Sequence, residues 1–236
     1  YRHVVFGNGM EGVVVSQPLK PGESRAMKHL FIDIGAEDEA DARSKVQLGD
    51  VAVYAPNVVR LGEHRVASPA MDDRSACAVL LATLLELGAC KDTVIGVFSA
   101  QEEVGCRGAK AASFAMEPDV GIALDVTAWG DTPEVTQPAV SLGKGVAVKV
   151  MDSASISNPP LRDHLMALAE KRSIPYQREV LAFGGTDAGA MQTSRGGIPV
   201  CTLSIPCRYV HSALETVDLR DLESAVKLLK AYFEEV

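Results

Sequence analysis

The sequence has no uninterrupted apolar stretch near the ~20 residues that a membrane-spanning helix needs. Its first residues, Tyr1 to His3, do not open a signal peptide. Lysine and arginine form no cluster that could follow a phosphate backbone, and the net charge is −8. We therefore expect a soluble, cytoplasmic protein that binds neither membranes nor nucleic acid.

Paired cysteine motifs are also missing. The five cysteines are odd in number and show no CxxC spacing, which disfavours a disulfide framework and leaves a thiolate metal site as a weak alternative. Since most of them lie in apolar runs, we expect reduced thiols in the core, as in most cytoplasmic proteins. Internal repeats and low-complexity segments are absent as well.

What the sequence does contain is enough apolar material for one large core with a smaller companion domain. It has 236 residues, of which 47% are hydrophobic. In residues 1–67 short β-type runs alternate with turn residues, as at Asn8-Gly9. This pattern predicts a small β domain, either barrel-like or a sandwich, and none of its residues suggests catalysis.

From residue 68 to residue 236, predicted helices and strands alternate. Such alternation predicts an α/β domain, with a mixed sheet covered by helices on both faces. The predicted helices are 75–87, 110–116, 161–171 and 219–233, and the predicted strands are 94–98, 120–126, 146–150, 177–181 and 200–205. We assign catalysis to this second domain.

The rest of the domain is organised around the stretch from residue 94 to residue 106. The apolar run Val94–Phe98 predicts a buried strand, which leads into the adjacent acids Glu102 and Glu103. Ligands bind at the carboxyl ends of strands in α/β proteins. Because neighbouring residues of an extended segment point to opposite sides, one carboxylate can hold a metal while the other faces water or substrate.

Acids or a histidine follow four predicted elements of this domain. Asp72 precedes the first helix, Glu102 and Glu103 follow one strand, Asp125 ends the next, and His211 follows the last long strand. A sheet gathers strand ends along one edge, so we expect these side chains to converge. Oxygen and nitrogen ligands of this kind suit zinc, manganese or cobalt. A carboxylate shared by two such ions would place them ~3.5–4 Å apart.

Each candidate also has a structural alternative. Asp72 or Asp73 could cap the following helix, Asp125 could be a turn residue, and His211 could be a hydrogen-bonded core histidine. For the other histidines the structural interpretation is favoured; they are His3, His29, His64 and His164. The loop Gly184–Gly189 fits neither common nucleotide-binding fingerprint, which excludes a nucleotide site there.

Five segments, in order, resemble the successive motifs of the tetrahedral, or glutamyl/leucyl, aminopeptidases, which belong to the co-catalytic zinc peptidases. These segments are Ala70–Arg74, Ser99–Gly105, Ala123–Thr127, Gly184–Ala188 and Ser204–Ser212. Leu30–Ala36 resembles a stretch of that family's inserted β domain. The resemblance runs from about residue 4 to the C-terminus, and five ordered motifs make it specific.

The resemblance implies an aminopeptidase that uses two divalent ions, zinc or cobalt with manganese possible, to remove N-terminal residues from short peptides with a free N-terminus. It implies that Asp72 bridges the ions, that Glu103 and His211 complete the ligands of one ion, and that Asp125 helps to hold the other. Glu102 would be the general base, which agrees with the chemistry expected of a glutamate beside two dications.

Further roles follow from the same resemblance. Asp73 would support the metal ligands, and a glycine-rich loop would line the pocket for the substrate's first side chain; its residues are Gly184, Gly185, Thr186 and Asp187. Self-association to dimers and a hollow dodecamer is also implied. Some relatives carry endoglucanase labels, which we discount because glycosidases need two carboxylates and no metal cluster.

One motif of the family has no counterpart. The family's remaining ligand is a histidine in a His-x-Asp motif that precedes the inserted β domain, and no such motif occurs before Asp72. We expect that a first segment is missing from this chain, or that the chain cannot form the complete site. Two alternatives therefore stay open: an amino-acylase or deacetylase of the same clan, and a non-catalytic subunit that has kept the fold.

Overall fold

A computed structural model describes residues 2–235 and shows two compact units, one that ends at Val58 and one that starts at Val59. A strand within our predicted first domain, at 59–61, and one that crosses its predicted boundary, at 65–68, pair in the sheet of the second unit. The functional division at residues 67 and 68 stays a prediction.

From residue 2 to residue 58, the first unit contains four strands and two short helical segments. In chain order these are β1 (Arg2–Phe6), β2 (Glu11–Ser16), a 3-10 turn (Met27–His29), β3 (Leu30–Asp33), α1 (Glu39–Lys45) and β4 (Ala52–Tyr54). The strands form an antiparallel sheet in the order β3-β2-β1-β4. Where the sequence predicted a barrel-like arrangement, this sheet is open within residues 2–235, because the short strands β3 and β4 each pair on one side only.

The second unit contains seven strands and five helices within the described part of the chain. They are β5 (Val59–Leu61), β6 (Arg65–Ser68), α2 (Met71–Glu86), α3 (Arg107–Met116), β7 (Gly121–Thr127), β8 (Val146–Met151), α4 (Pro159–Lys171), β9 (Tyr176–Val180), α5 (Asp187–Gln192), β10 (Val200–Arg208), β11 (Glu215–Asp218) and α6 (Leu219–Glu235).

Strand β10 lies at the centre of this mixed sheet. It runs parallel to β7 over seven registered pairs and antiparallel to β8 and β11. The order β5-β6-β11-β10-β8-β9, with β7 also against β10, places the ends of β6, β7 and β10 around the same region. The mixed sheet agrees with the predicted α/β fold class.

Two apolar cores lie on opposite faces of the sheet. On one face Leu203 and Ile205 of β10 are fully buried among apolar residues of α2, α4 and α6. On the other face Val200 packs with Ala123 and with Ala188 of α5. Burial of each large side chain contributes ~1.5–3 kcal/mol, so β10 is firmly anchored where it leads to His211.

The prediction of a buried strand at Val94–Phe98 is wrong for this structure. Residues 87–100 form neither helix nor strand, and Ile95, Val97 and Phe98 are about half exposed. A strand needs a neighbour to pair its backbone groups. Within residues 2–235 strand β7 pairs only with β10, so this apolar segment has no sheet partner.

The cysteines are all free thiols, but only Cys201 and Cys207 are buried. Cys77 is exposed and the other two are partly exposed, so the expectation of core thiols holds for a minority. None of the helices in residues 2–235 has the length and apolar character needed to cross a membrane.

Candidate metal centre and active site

The site lies where loops leave β6, β7 and β10. Asp72 stands at the start of α2, four residues after β6, where the helix is kinked at Asp72 and Asp73 and the peptide bond between them is cis. The preceding residue, Ala70, has a left-handed φ of 56°. His211 follows β10 and also has a left-handed φ, of 62°. Residues other than glycine rarely adopt a left-handed φ, so Ala70 and His211 show that surrounding contacts constrain the backbone on both sides of the site.

Asp72, Glu103 and His211 converge on one point. The His211 Nε2 atom lies 3.1 Å from Asp72 Oδ2 and 3.2 Å from Glu103 Oε2. Ligand atoms that share one zinc ion at ~2.0–2.2 Å are separated by slightly more than 3 Å, so these three side chains fit a single divalent ion. The His211 side chain is 70% exposed and Glu103 is 57% exposed, which leaves the point accessible from solvent.

A second group of acids shares Asp72 with the first. Ligand atoms of Asp72, Asp73 and Asp125 lie within 4.8 Å of one another. Asp125 is buried on β7, and Asp73 accepts a hydrogen bond of 3.2 Å from the backbone N–H of Ala76. The shared position of Asp72 fits a carboxylate between two ions. In the described residues this second group contains carboxylates and no histidine.

The acids raise one another's pKa values. Burial, followed by the charges of Glu103 and Glu215, raises the pKa of Asp72 to about 7. Burial and the charge of Asp125 raise the pKa of Asp73 to about 9, and burial raises the pKa of Asp125 well above its usual value. Ionising all of these neighbouring carboxylates at once is unfavourable because their negative charges repel one another. A bound dication would neutralise these charges, so the cluster is suited to a divalent metal ion.

Glu102 lies beside this cluster on a tight turn. Its carbonyl oxygen accepts hydrogen bonds from the backbone N–H groups of Gly105 and Cys106, at 2.9 and 2.8 Å. Its side chain accepts a hydrogen bond of 3.4 Å from the Cys106 thiol and lies close to the Asp187 carboxylate. Burial is the main cause of a raised Glu102 pKa. The turn therefore presents Glu103 to one group and Glu102 to another.

The four residues of the predicted substrate loop make different kinds of contact. Thr186 is buried, caps α5 by accepting a hydrogen bond from the backbone N–H of Ala188, and contacts the Thr202 hydroxyl at 3.1 Å. The Asp187 carboxylate accepts a hydrogen bond from Ser99 Oγ and lies near Glu102. Gly184 has a left-handed φ of 68°.

Gly185 and Gly184 belong to the same loop and face residues 153 and 154. A Cβ added at Gly185 would lie 2.7 Å from the Ala154 Cβ. The Gly184 carbonyl accepts a hydrogen bond from Ser153. These contacts hold the loop against a neighbouring turn. Of the four predicted residues, Asp187 has its carboxylate close to that of Glu102.

Glu215 also belongs to this region, although it was not predicted from the sequence. This residue is 3% exposed, and its two carboxylate oxygens accept hydrogen bonds from the backbone N–H groups of Asp72, at 2.8 Å, and His211, at 2.7 Å. It is the first residue of β11, a four-residue strand too short and polar to have been predicted. An acid four residues after His211 was the only signal in the sequence.

Comparisons with known proteins identify the family of this chain. The model of a family described as M42 glutamyl aminopeptidase matches residues 6–228. A relative from Acetivibrio thermocellus, named as an aminopeptidase, is 43% identical over 229 residues, which are 97% of this chain and 69% of the relative. The chain spans 58–60% of the length of four further relatives named as aminopeptidases.

Solved structures give the same result for the fold. The aminopeptidase APDkam598 from the archaeon Desulfurococcus kamchatkensis has a TM-score of 0.95 and 37% identity, over 100% of this chain and 69% of that one. The TET1 peptidase of Pyrococcus horikoshii, described as able to assemble into a tetrahedron or a large octahedral shell, has a TM-score of 0.84 and 33% identity, over 100% of this chain and 72% of that one. Structures labelled endoglucanase also match, as the resemblance implied.

Proposed function

Because this chain belongs to the M42 glutamyl aminopeptidase family, we propose that Asp72, Glu103 and His211 bind a divalent ion beside which Glu102 acts as the general base of peptide hydrolysis. The predicted family, α/β fold and aminopeptidase class are confirmed by the match over residues 6–228 and by the structural likeness. The observation that carries the metal centre is the pair of distances from His211 Nε2, 3.1 Å to Asp72 and 3.2 Å to Glu103.

The donor set fits zinc or cobalt, and manganese is a further candidate. One imidazole and several carboxylates are ligands that all three metals accept, whereas calcium seldom recruits histidine. Asp72 would be shared with a second ion on the side of Asp125, and Asp73 would support both aspartates from the neighbouring position. The chemistry that such ions supply is activation of water and polarisation of the scissile carbonyl.

Glu102 would move the proton in this reaction. A carboxylate beside the centre can take a proton from the attacking water and give it to the leaving amine of the cleaved peptide. Asp187 accepts a hydrogen bond from Ser99, lies within 4.8 Å of Glu102, and would belong to the substrate pocket with Gly184 and Gly185. Thr186 would support that pocket as the cap of α5.

We propose that the second ion, on the side of Asp125, is bound more weakly than the first. Within residues 2–235 the group around Asp125 contains only carboxylates, so it offers fewer strong donors than the group around His211. We expect one tightly held ion per chain and a second that is held loosely. A chain that binds no ion would favour the non-catalytic subunit instead.

The proposed substrates are short peptides with a free N-terminus. The test is hydrolysis of aminoacyl-nitroanilides by the zinc- or cobalt-loaded chain, with an N-acetylated substrate and a chelated sample as controls. We expect chelator-sensitive turnover of the free-amine substrates alone. Preferential cleavage of the blocked substrate would contradict an aminopeptidase and indicate a deacylase.

Self-association into dimers and a dodecamer completes the proposal. A relative is described as forming tetrahedral or octahedral shells. In the first unit Val13, Phe31, Val51 and Val53 are between 42% and 74% exposed, which is typical of a surface that a partner covers. The mass of the purified protein in solution tests the assembly.

We also propose a cytoplasmic location, which the five free thiols favour.

A further inference from the structure

We propose that Glu215 is a positioning residue of the metal centre, which fixes the ligands Asp72 and His211 relative to each other through their backbones. The inference rests on the proposed function, because it concerns the ion that these ligands would hold. It assigns to Glu215 a role in metal affinity, and no direct contact with metal or substrate.

The contacts are one hydrogen bond from each ligand residue. Glu215 Oε2 accepts from the Asp72 N–H at 2.8 Å, and Glu215 Oε1 accepts from the His211 N–H at 2.7 Å. The carboxylate is buried, so water does not compete for these hydrogen bonds. A single rigid group therefore spans two loops that come from distant parts of the chain.

The sheet places Glu215 between those two loops. Strand β11 pairs on one side with β6, where Glu215 lies opposite Ser68, and on the other side with the end of β10 at Cys207 and Arg208. The loop to Asp72 leaves β6 at Ser68, and the loop to His211 leaves β10 at Arg208. Both loops therefore start beside β11, and Glu215 stands at its first position.

Each of the two loops also contains a residue with an unfavourable backbone conformation that surrounding contacts must stabilise. His211 has a φ of 62°, and Ala70 has a φ of 56°, in the left-handed region that L residues other than glycine rarely adopt. Such conformations persist only when surrounding contacts determine them. The hydrogen bond from the His211 N–H to Glu215 is one such contact, at the residue whose imidazole points to the other ligands.

The two-acceptor geometry requires a carboxylate. Glutamine has one acceptor oxygen and one NH₂ donor, so one of the two backbone N–H groups would face another donor in Glu215→Gln. Aspartate keeps two acceptors on a shorter side chain, so Glu215→Asp would reach the two N–H groups less well. We expect metal affinity to fall about 10–100-fold in Glu215→Gln, as when other groups that orient ligands are lost, and less in Glu215→Asp.

The chain offers a matched control in Asp221. This carboxylate is also fully buried, and its two oxygens accept hydrogen bonds of 2.7 Å from the backbone N–H groups of Gly143 and Gly145, none of which belongs to the proposed centre. Asp221→Asn therefore makes the same chemical change to a buried carboxylate of the same kind. Its metal affinity should equal that of the wild type.

The experiment titrates Co²⁺ into the metal-free wild type, Glu215→Gln, Glu215→Asp and Asp221→Asn. Affinity is measured by competition with a chelator, and the visible absorption of bound cobalt reports its ligand geometry. Thermal unfolding of each metal-free protein shows whether it is folded. We expect weaker binding and an altered cobalt spectrum in folded Glu215→Gln, smaller changes in Glu215→Asp, and neither change in Asp221→Asn.

Three results would overturn the assignment. Equal affinity and spectrum in the wild type and the folded Glu215 variants would remove Glu215 from the centre and leave the proposed function intact. An equal loss in Asp221→Asn would show that any buried carboxylate has the same effect. A wild-type chain that binds no cobalt would overturn the metal centre itself, and the role of Glu215 with it.

Discussion

The His211 Nε2 atom lies 3.1 Å from Asp72 Oδ2, although the two residues come from distant parts of the second unit's sequence. The contact joins the segment after β10 to the start of α2, and Glu103 reaches the same imidazole at 3.2 Å. Removal of the imidazole therefore removes the only nitrogen donor from this group within the described residues.

His211→Ala should abolish tight metal binding. We expect the zinc affinity to fall by more than about 100-fold, because loss of a direct ligand exceeds the 10–100-fold effect of losing a group that only orients one. Isothermal titration with zinc measures the change. His164→Ala is the control, since His164 lies on α4 and packs against the Tyr232 ring; unchanged zinc affinity in His211→Ala would contradict the assignment.

Asp221 should make the stability of the protein depend on pH. Burial raises the pKa of Asp221 to about 6 in the folded chain, against about 3.9 when unfolded. Between these values the folded state binds more protons than the unfolded state, so the free energy of unfolding decreases as the pH rises from about 4 to about 6. The full decrease is about 3 kcal/mol.

The measurement compares urea unfolding of the wild type and Asp221→Asn, both metal-free, from pH 4 to pH 7. The variant has every other titrating group of the wild type, so the difference between the two curves isolates Asp221. We expect the stability of the wild type relative to the variant to decrease with rising pH and to level off above about pH 6.5. A relative stability that rises with pH would contradict the prediction.

The segment Val94–Phe98 should exchange its amide hydrogens quickly. It pairs with no strand in the described residues, whereas β7 shares seven registered pairs with β10. Amides outside a hydrogen-bonded ladder open with little cost in free energy. Hydrogen exchange followed by mass spectrometry should show 94–98 exchanged well before 121–127. Equal protection of both segments would indicate a sheet partner for 94–98.

Much of the fold was predictable because apolar periodicity marks its long elements. Strands β7, β8 and β10 and helix α6 lie within a few residues of their predicted bounds. Strands β6 and β11 have four residues each and contain charged side chains, so no periodic pattern identified them. Val94–Phe98 has the composition of a strand, but pairing depends on a neighbour that composition does not reveal.

In the candidate site too, some residues could be predicted from the sequence and others could not. Convergence of Asp72, Glu103 and His211 could be predicted, because ordered motifs and strand ends pointed to it. Glu215 could not, since its hydrogen bonds are made to backbone atoms of distant residues and leave no pattern in the sequence. The contact between Cys106 and Glu102 likewise depends on a turn in which Cys106 has a left-handed φ of 50°.

The most direct test of the account is the turnover of a free-amine aminoacyl-nitroanilide by Glu102→Gln, with the metal content of the same sample measured in parallel. Glu234→Gln, an exposed position on α6, is the control. We predict a kcat lower by ~10²–10⁴-fold in Glu102→Gln, with metal content equal to that of the wild type, because the variant loses proton transfer and keeps the ligands. Wild-type turnover by the metal-loaded variant would contradict the role of Glu102 and the mechanism built on it.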